Sequence, residues 1–277
     1  MLDDALQKKL IETGREFTRG YRADDPYLKD FESDQELHRP QPPLVKPAMT
    51  DKKIELPRDF SGLALKQDLA ALIRDRHSAR VYTGETMTMA QLSFLLWATQ
   101  GVKAVRGKAY ATLRTVPCGG ARHEFETYLL IRKVEGLEPG AYHYLPMEHA
   151  LEFLHPVSDM EDAITRSLAG QKWAEKANVI FYWSMVPYRA EWRYGIYAHR
   201  VALVDVGHVG QNLYLACTGT GLGTCAIGAF SHEACNELFG LDGGEEYVVY
   251  TAPVGTVRES DRSAEQAFYR FVEEDGL

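Results

Sequence analysis

The stretch V-A-L-V-D-V-G-H-V-G-Q-N-L-Y-L-A-C-T-G-T-G-L-G-T-C-A-I-G-A-F, Val201–Phe230, decides the fold. Its first part, roughly Val201 to Thr218, reads as one long helix. Val201, Leu203, Val204, Val206, Val209, Leu213 and Leu215 make it apolar nearly all round, so burial on every side is expected. Asp205, His208 and Asn212 fall on one stripe at i, i+3 and i+7. Buried polar groups need partners, so the stripe is either a satisfied structural network or a wall of a cofactor site. Gly207 and Gly210 would let a second helix approach closely, as a dimer seam requires. The glycines from Gly219 onward invite a dinucleotide-binding reading that fails on context. In that fingerprint the glycines follow a strand and open a helix, whereas here they follow a helix and lead into an apolar extended run. They are read as the helix stop, with the backbone of Ala226, Ile227, Gly228 and Ala229 free to hydrogen-bond the edge of a planar heteroaromatic ring.

Working outward, a helix is expected from Thr88, whose hydroxyl caps the first turn while Gln91 returns the bond; it runs through Leu92, Leu95, Leu96 and Thr99 and stops at Gly101. Strand signals cover Thr127–Ile131, Ala141–Leu145, Val179–Met185 and Glu246–Ala252. Helices and strands alternate without a regular strand–helix–strand rhythm, which points to an α+β layer architecture. Residues 1–60 read as an arm: an amphipathic helix over about 1–20, then a polar segment punctuated by Pro40, Pro42, Pro43, Pro47 and Pro57. That segment is either a linker or an arm that wraps a partner subunit. The catalytic domain is expected over 61–277, its helical pattern starting near Leu63.

The 277 residues carry a formal net charge of -8, which argues against broad binding to nucleic acid or anionic membrane. No stretch approaches the roughly 20 apolar residues of a membrane span, and the N-terminus lacks the pattern of a signal peptide; a soluble, cytoplasmic protein is expected. Cys118, Cys217, Cys225 and Cys235 contain no C-x-x-C pair, so neither a disulfide framework nor a zinc site is expected. Against the acidic background stands a cluster of Arg74, Arg76, His77, Ser78 and Arg80 at a helix end. It reads as a phosphate clamp of charge-assisted bonds or as solvated cations complementing the helix dipole. In V-P-C-G-G-A-R-H, Val116–His123, a proline and two glycines open the backbone to a flat ligand, and a plain turn would look the same. A nucleophilic Cys118 served by His123 is the competing chemistry, although five residues of spacing do not place an imidazole on the sulfur.

R-H-S-A-R, P-C-G-G-A-R-H-E-F-E, D-V-G-H-V-G-Q-N-L and G-L-G-T-C-A-I-G-A-F, with W-R-Y-G and a final P-V-G in order, resemble the nitroreductase family of FMN enzymes. More narrowly they are similar to its azoline-dehydrogenase-related branch, from about Leu63 to Arg258. The resemblance implies a central antiparallel-rich sheet flanked by helices in an interlocked homodimer, with FMN at the subunit interface. Arg76, His77, Ser78 and Arg80 would hold the phosphate, ribityl chain and pyrimidine edge, and Arg258 would complete the phosphate clamp. Pro117, Cys118 and Gly119 would reach the flavin from the partner subunit, and Ala226, Ile227, Gly228 and Ala229 would lie along it. The implied activity moves hydride between NAD(P)H or an organic donor and a small organic acceptor. The alternative within the family is oxygen-dependent dehydrogenation of a heterocyclic or peptide-derived substrate. For that reaction the branch uses the lysine and tyrosine of W-K-Y-G; here Arg193 replaces the lysine and stays protonated near neutral pH, leaving Tyr194 as the candidate proton donor or acceptor.

Overall fold

The computed structural model describes residues 3–20, 31–258 and 262–274. Nine strands are formed there: β1 (Lys53–Glu55), β2 (Val102–Arg106), β3 (Ala111–Arg114), β4 (Phe125–Ile131), β5 (Gly140–Leu145), β6 (Ala150–His155), β7 (Val179–Met185), β8 (Leu222–Thr224) and β9 (Tyr247–Thr256). The helices that matter below are α1 (Asp4–Arg19), α2 (Leu69–Asp75), α3 (Met89–Gln100), α4 (Met160–Ser167), α5 (Pro187–Tyr194), α6 (Ala198–Thr220), α7 (His232–Phe239) and α8 (Arg262–Phe268). Seven strands join one sheet in the order β1-β6-β5-β4-β7-β9-β8, and every pairing in it is antiparallel. This is the α+β architecture expected from the sequence.

Helices cover both faces of the sheet, which is why every residue of β4, β5 and β7 is buried. Alternation sends Phe125, Leu129, Phe181 and Trp183 to the face packed by α3 and α6. Tyr128, Leu130, Ile180 and Tyr182 go to the face under α4 and α7. The start of α3 is the capping box read from Thr88 and Gln91. Gly221 ends α6 in the left-handed conformation at φ 72, so the glycine run terminates a helix and opens β8, as its context implied.

Two expectations need correction. First, α6 is not buried all round within its own chain: Leu203 and Val204 are 56% and 57% exposed there, and with Gly207, His208 and Gln211 they form an open stripe. Gly207 lies on that stripe, but Gly210 faces inward, where a Cβ would meet the Tyr250 ring at 2.8 Å. Second, the later part of the proline-rich arm is not a free linker; it packs on its own sheet. The main-chain N–H groups of Met49 and Thr50 donate to buried Glu152 at 2.7 and 2.8 Å, and Lys46 N–H donates to Glu126 at 2.8 Å. β1 then extends the sheet beside β6, so packing crosses the boundary expected between residues 60 and 61. Among the described residues no helix is long and apolar enough to cross a membrane.

Candidate functional site

One group of side chains meets at Tyr214, a residue the sequence reading passed over because an aromatic in an apolar helix looks like core. α2 ends at Asp75, and the chain passing from it carries Ser78 into a 3.0 Å hydrogen bond with the Tyr214 hydroxyl. The same hydroxyl accepts the Ala226 main-chain N–H at 2.9 Å. Ala79 N–H donates to Thr224 at 2.9 Å, so the segment after α2 and the segment after β8 run side by side. Arg76 lies 5.2 Å over the Tyr214 ring; Arg74 pairs with Asp75, which Lys66 shares, while Arg76 has no ion-pair partner among the described residues. His77 is exposed, its Nδ1 donating to the Asp75 carbonyl at 3.0 Å. Ile227 is consumed by pairing with Thr251 on β9, at 2.8 and 3.2 Å, whereas Gly228 and Ala229 are exposed. Arg80 is held by Tyr269, stacks over Trp173 and Tyr269, and its main-chain N–H donates to Glu265 of α8. Arg258 ion-pairs with Glu85 on the surface.

A second group surrounds the loop Pro117–Gly119. Gly119 N–H donates to Asp205 of α6 at 2.8 Å, and a Cβ at Gly119 would sit 2.6 Å from Val201. Gly120, at φ 55, is clasped by Arg193 and by Tyr194, whose hydroxyl would lie 2.7 Å from a Cβ there. Glycine is required at both places, by contact at the first and by contact and backbone at the second. Arg193 is committed to Gln35 at 3.1 Å and Tyr110 at 2.8 Å. The Cys118 thiol donates to Glu124 Oε2 at 3.2 Å and accepts His123 main-chain N–H at 3.0 Å. It is therefore the main chain of His123, not its ring, that meets the sulfur. Burial, then Arg114, pushes the His123 imidazole down to about 2, and burial with Glu124 and Asp205 pushes the thiol well up. An activated cysteine needs the opposite on both counts, so the Cys118–His123 nucleophile is not assembled.

Asp205 and Tyr214 are nine residues apart on α6, which places them about 13 Å apart along the axis and about 180° around it. They flank the open stripe of Leu203, Val204, Gly207, His208 and Gln211. The two groups of expected site residues thus lie on either side of the exposed face of one helix. The expected stripe is also divided: Asp205 turns to Gly119, Asn212 donates to the Ala98 carbonyl at 2.8 Å, and His208 stays open.

The sequence model of the nitroreductase family matches residues 73–256, from within α2 to the end of β9. The chain belongs to the nitroreductase family. Members are oxidoreductases, generally flavin-dependent. A nitroreductase-like protein of Methanocaldococcus jannaschii, MJ1384, is 33% identical over 207 residues, spanning 73% of this chain and 96% of its own length. Among solved structures, a Ralstonia eutropha protein described as a nitroreductase superposes with a TM-score of 0.61 at 23% identity, covering 79% of this chain and 95% of that one. A chain of the Escherichia coli microcin synthetase McbBCD complex, with truncated pro-MccB17 bound, superposes with a TM-score of 0.56 at 18% identity. It covers 92% of this nitroreductase-family chain and 93% of its own length. The likeness to the Ralstonia eutropha structure shows the nitroreductase-like fold of the body described above.

Proposed function

We propose that this nitroreductase-family chain is an FMN-dependent oxidoreductase that works as a homodimer, moving hydride from NAD(P)H or an organic donor to a small organic acceptor. The observation that carries the reading is the meeting at Tyr214 of Ser78 and Arg76 with the segment Ala226–Ala229. The donor set fits a phosphorylated flat ring: an unpaired guanidinium and an exposed imidazole for a phosphate, a hydroxyl for a polyol, and exposed main chain at Gly228 and Ala229 for a ring edge. FMN bound there would supply the hydride-accepting ring. Arg76 would neutralise its phosphate, His77 and Ser78 would hydrogen-bond and orient it, and Tyr214 would fix the spacing between the two segments. Arg80 and Arg258 would contribute at the rim, since each already has a protein partner.

The loop of Pro117, Cys118 and Gly119 cannot close over its own chain's Tyr214 across α6. A two-fold contact along the exposed stripe of α6 would lay one subunit's loop over the other's flavin, completing two equivalent sites. Tyr194, beside Gly120, would then stand at the substrate face, while Arg193 holds the loop and takes no part in proton removal.

The visible spectrum of the purified protein, with mass identification of the released chromophore, is expected to give one FMN per subunit. Arg76→Ala is expected to weaken FMN binding by about 10- to 100-fold, the worth of one charge-assisted contact. A colourless protein that takes up no FMN on reconstitution would remove the proposal. Anaerobic mixing with NADH or NADPH should bleach the flavin; a flavin bleached only by a heterocyclic donor would move the assignment to substrate dehydrogenation with oxygen as acceptor.

A further inference from the structure

Under the Pro117–Gly119 loop three groups that can each carry negative charge converge. Cys118, Glu124 and Asp205 each place one ligand atom within 4.8 Å of the others. Glu124 is 1% exposed and Asp205 5%. One oxygen of Glu124 takes the thiol at 3.2 Å, but the other is buried and receives no hydrogen bond from any other described residue. A buried carboxylate oxygen left without a partner is costly, on the order of 1–3 kcal/mol, and most such groups in folded proteins are satisfied. Asp205 Oδ2 is anchored by Gly119 N–H at 2.8 Å, and Asp205 Oδ1 faces His208 Nδ1 at 3.7 Å on the solvent side.

We propose that Cys118, Glu124 and Asp205 form a three-ligand site for a divalent transition-metal ion of the zinc class. Ligands held about 2.0–2.3 Å from a tetrahedral centre lie about 3.5 Å from one another; Cys118 and Glu124 already stand at 3.2 Å, and all three ligand atoms lie within 4.8 Å. A thiolate joined to two carboxylates favours a borderline ion over magnesium or calcium, which avoid sulfur. Binding displaces the thiol proton and the proton that Glu124 carries when protonated. The S–H···O bond is exchanged for S–metal and O–metal bonds, the released protons go to solvent, and no electrons move. The ion supplies the partner that Glu124 lacks and leaves a fourth position for water. Asp205, already oriented by Gly119 and flanked by His208, is the supported ligand that such sites require. The sulfur points inward to Glu124, so the exposed Pro117 side of the loop stays available to the flavin, and the ion would fix the loop from beneath. The spacing 118, 124 and 205 matches no linear metal motif, which is why the sequence reading expected no metal.

The test is a Co2+ titration of the flavin-loaded protein, read at wavelengths to the red of flavin absorption. One Co2+ per subunit with a tetrahedral visible spectrum is expected, displaced by Zn2+. Cys118→Ser and Glu124→Gln should each weaken binding at least about tenfold, with Cys235→Ala, at a buried thiol on α7 that faces α4, unchanged. In the unaltered protein, Zn2+ should slow alkylation of Cys118 at least about tenfold, a readout that needs no variant to fold. Absence of saturable Co2+ binding, or equal binding by wild type and Cys118→Ser together with unprotected Cys118, would overturn the site. Neither readout depends on turnover, so failure here leaves the oxidoreductase assignment to its own test.

Discussion

At the scale of single residues, two buried carboxylates pull the pH dependence of stability in opposite directions. Burial, reinforced by Asp205, raises Glu124 from 4.5 to about 7. The folded state therefore holds that proton more tightly than the unfolded state, and stability is lost as pH rises from about 4.5 through about 7. Over that window the loss is about 3 kcal/mol in metal-free protein, at 1.36 kcal/mol per unit. Glu124→Gln should abolish that loss in denaturant titrations at pH 5 and pH 8; an unchanged difference would contradict the assignment. Glu126 behaves conversely: Arg189 at 2.5 Å and His143 at 3.2 Å hold it well below its ordinary range despite complete burial. Its contribution is present above about 4.5 and lost as pH falls through the depressed value. Glu126 and Glu152 in turn raise His143 against the effect of burial, so its share is complete below about 6.5 and lost as pH rises through the elevated value. His143→Gln leaves two buried carboxylates short of a partner and should cost about 3–5 kcal/mol, measured as a fall in denaturation midpoint.

Among elements, α6 carries most of the functional load, and its open stripe sets the expected assembly. Leu203→Glu combined with Val204→Glu puts charge on the proposed seam, so the pair should yield monomers by light scattering and bind FMN at least about tenfold more weakly. A dimer that persists in this variant would locate the seam elsewhere. What the sequence disclosed at this scale was local. The Thr88–Gln91 box, the extent of α6 and the helix stop at Gly221 depend on neighbours within a turn or two, and all were legible. β6 was not, because Glu152 interrupts its apolar pattern, and its burial makes sense only once His143 and the arm are in place. β1, three residues long, is too short to signal itself. Tyr214 could have been found only by asking why a hydroxyl should sit on an otherwise apolar helix between two glycine-bearing segments. Arg258 was singled out by position in a resemblance, and nothing in its own surroundings in the chain announced the Glu85 pair.

For the whole molecule, the later arm, from Lys46 through β1, and the body are not separable parts. α1 buries none of its residues, so removal of residues 1–20 should leave the melting temperature within a few degrees of the full chain. Removal of residues 1–52 strips Lys46 and the Met49 and Thr50 amides from Glu126, Glu152 and Glu246. That truncation should lose several kcal/mol and fail to fold cooperatively; a well-behaved melt would refute the stitching role. The same architecture governs how the protein tolerates crowding. The sheet is closed at its borders by β1 and β8, each only three residues long. Runs that short give a neighbouring molecule little main chain on which to add a strand. Fibril growth by edge-to-edge polymerisation thus has poor purchase on the native state, and unwanted self-association in concentrated solution should begin instead at apolar side chains that a mutation or dissociation uncovers on a helix.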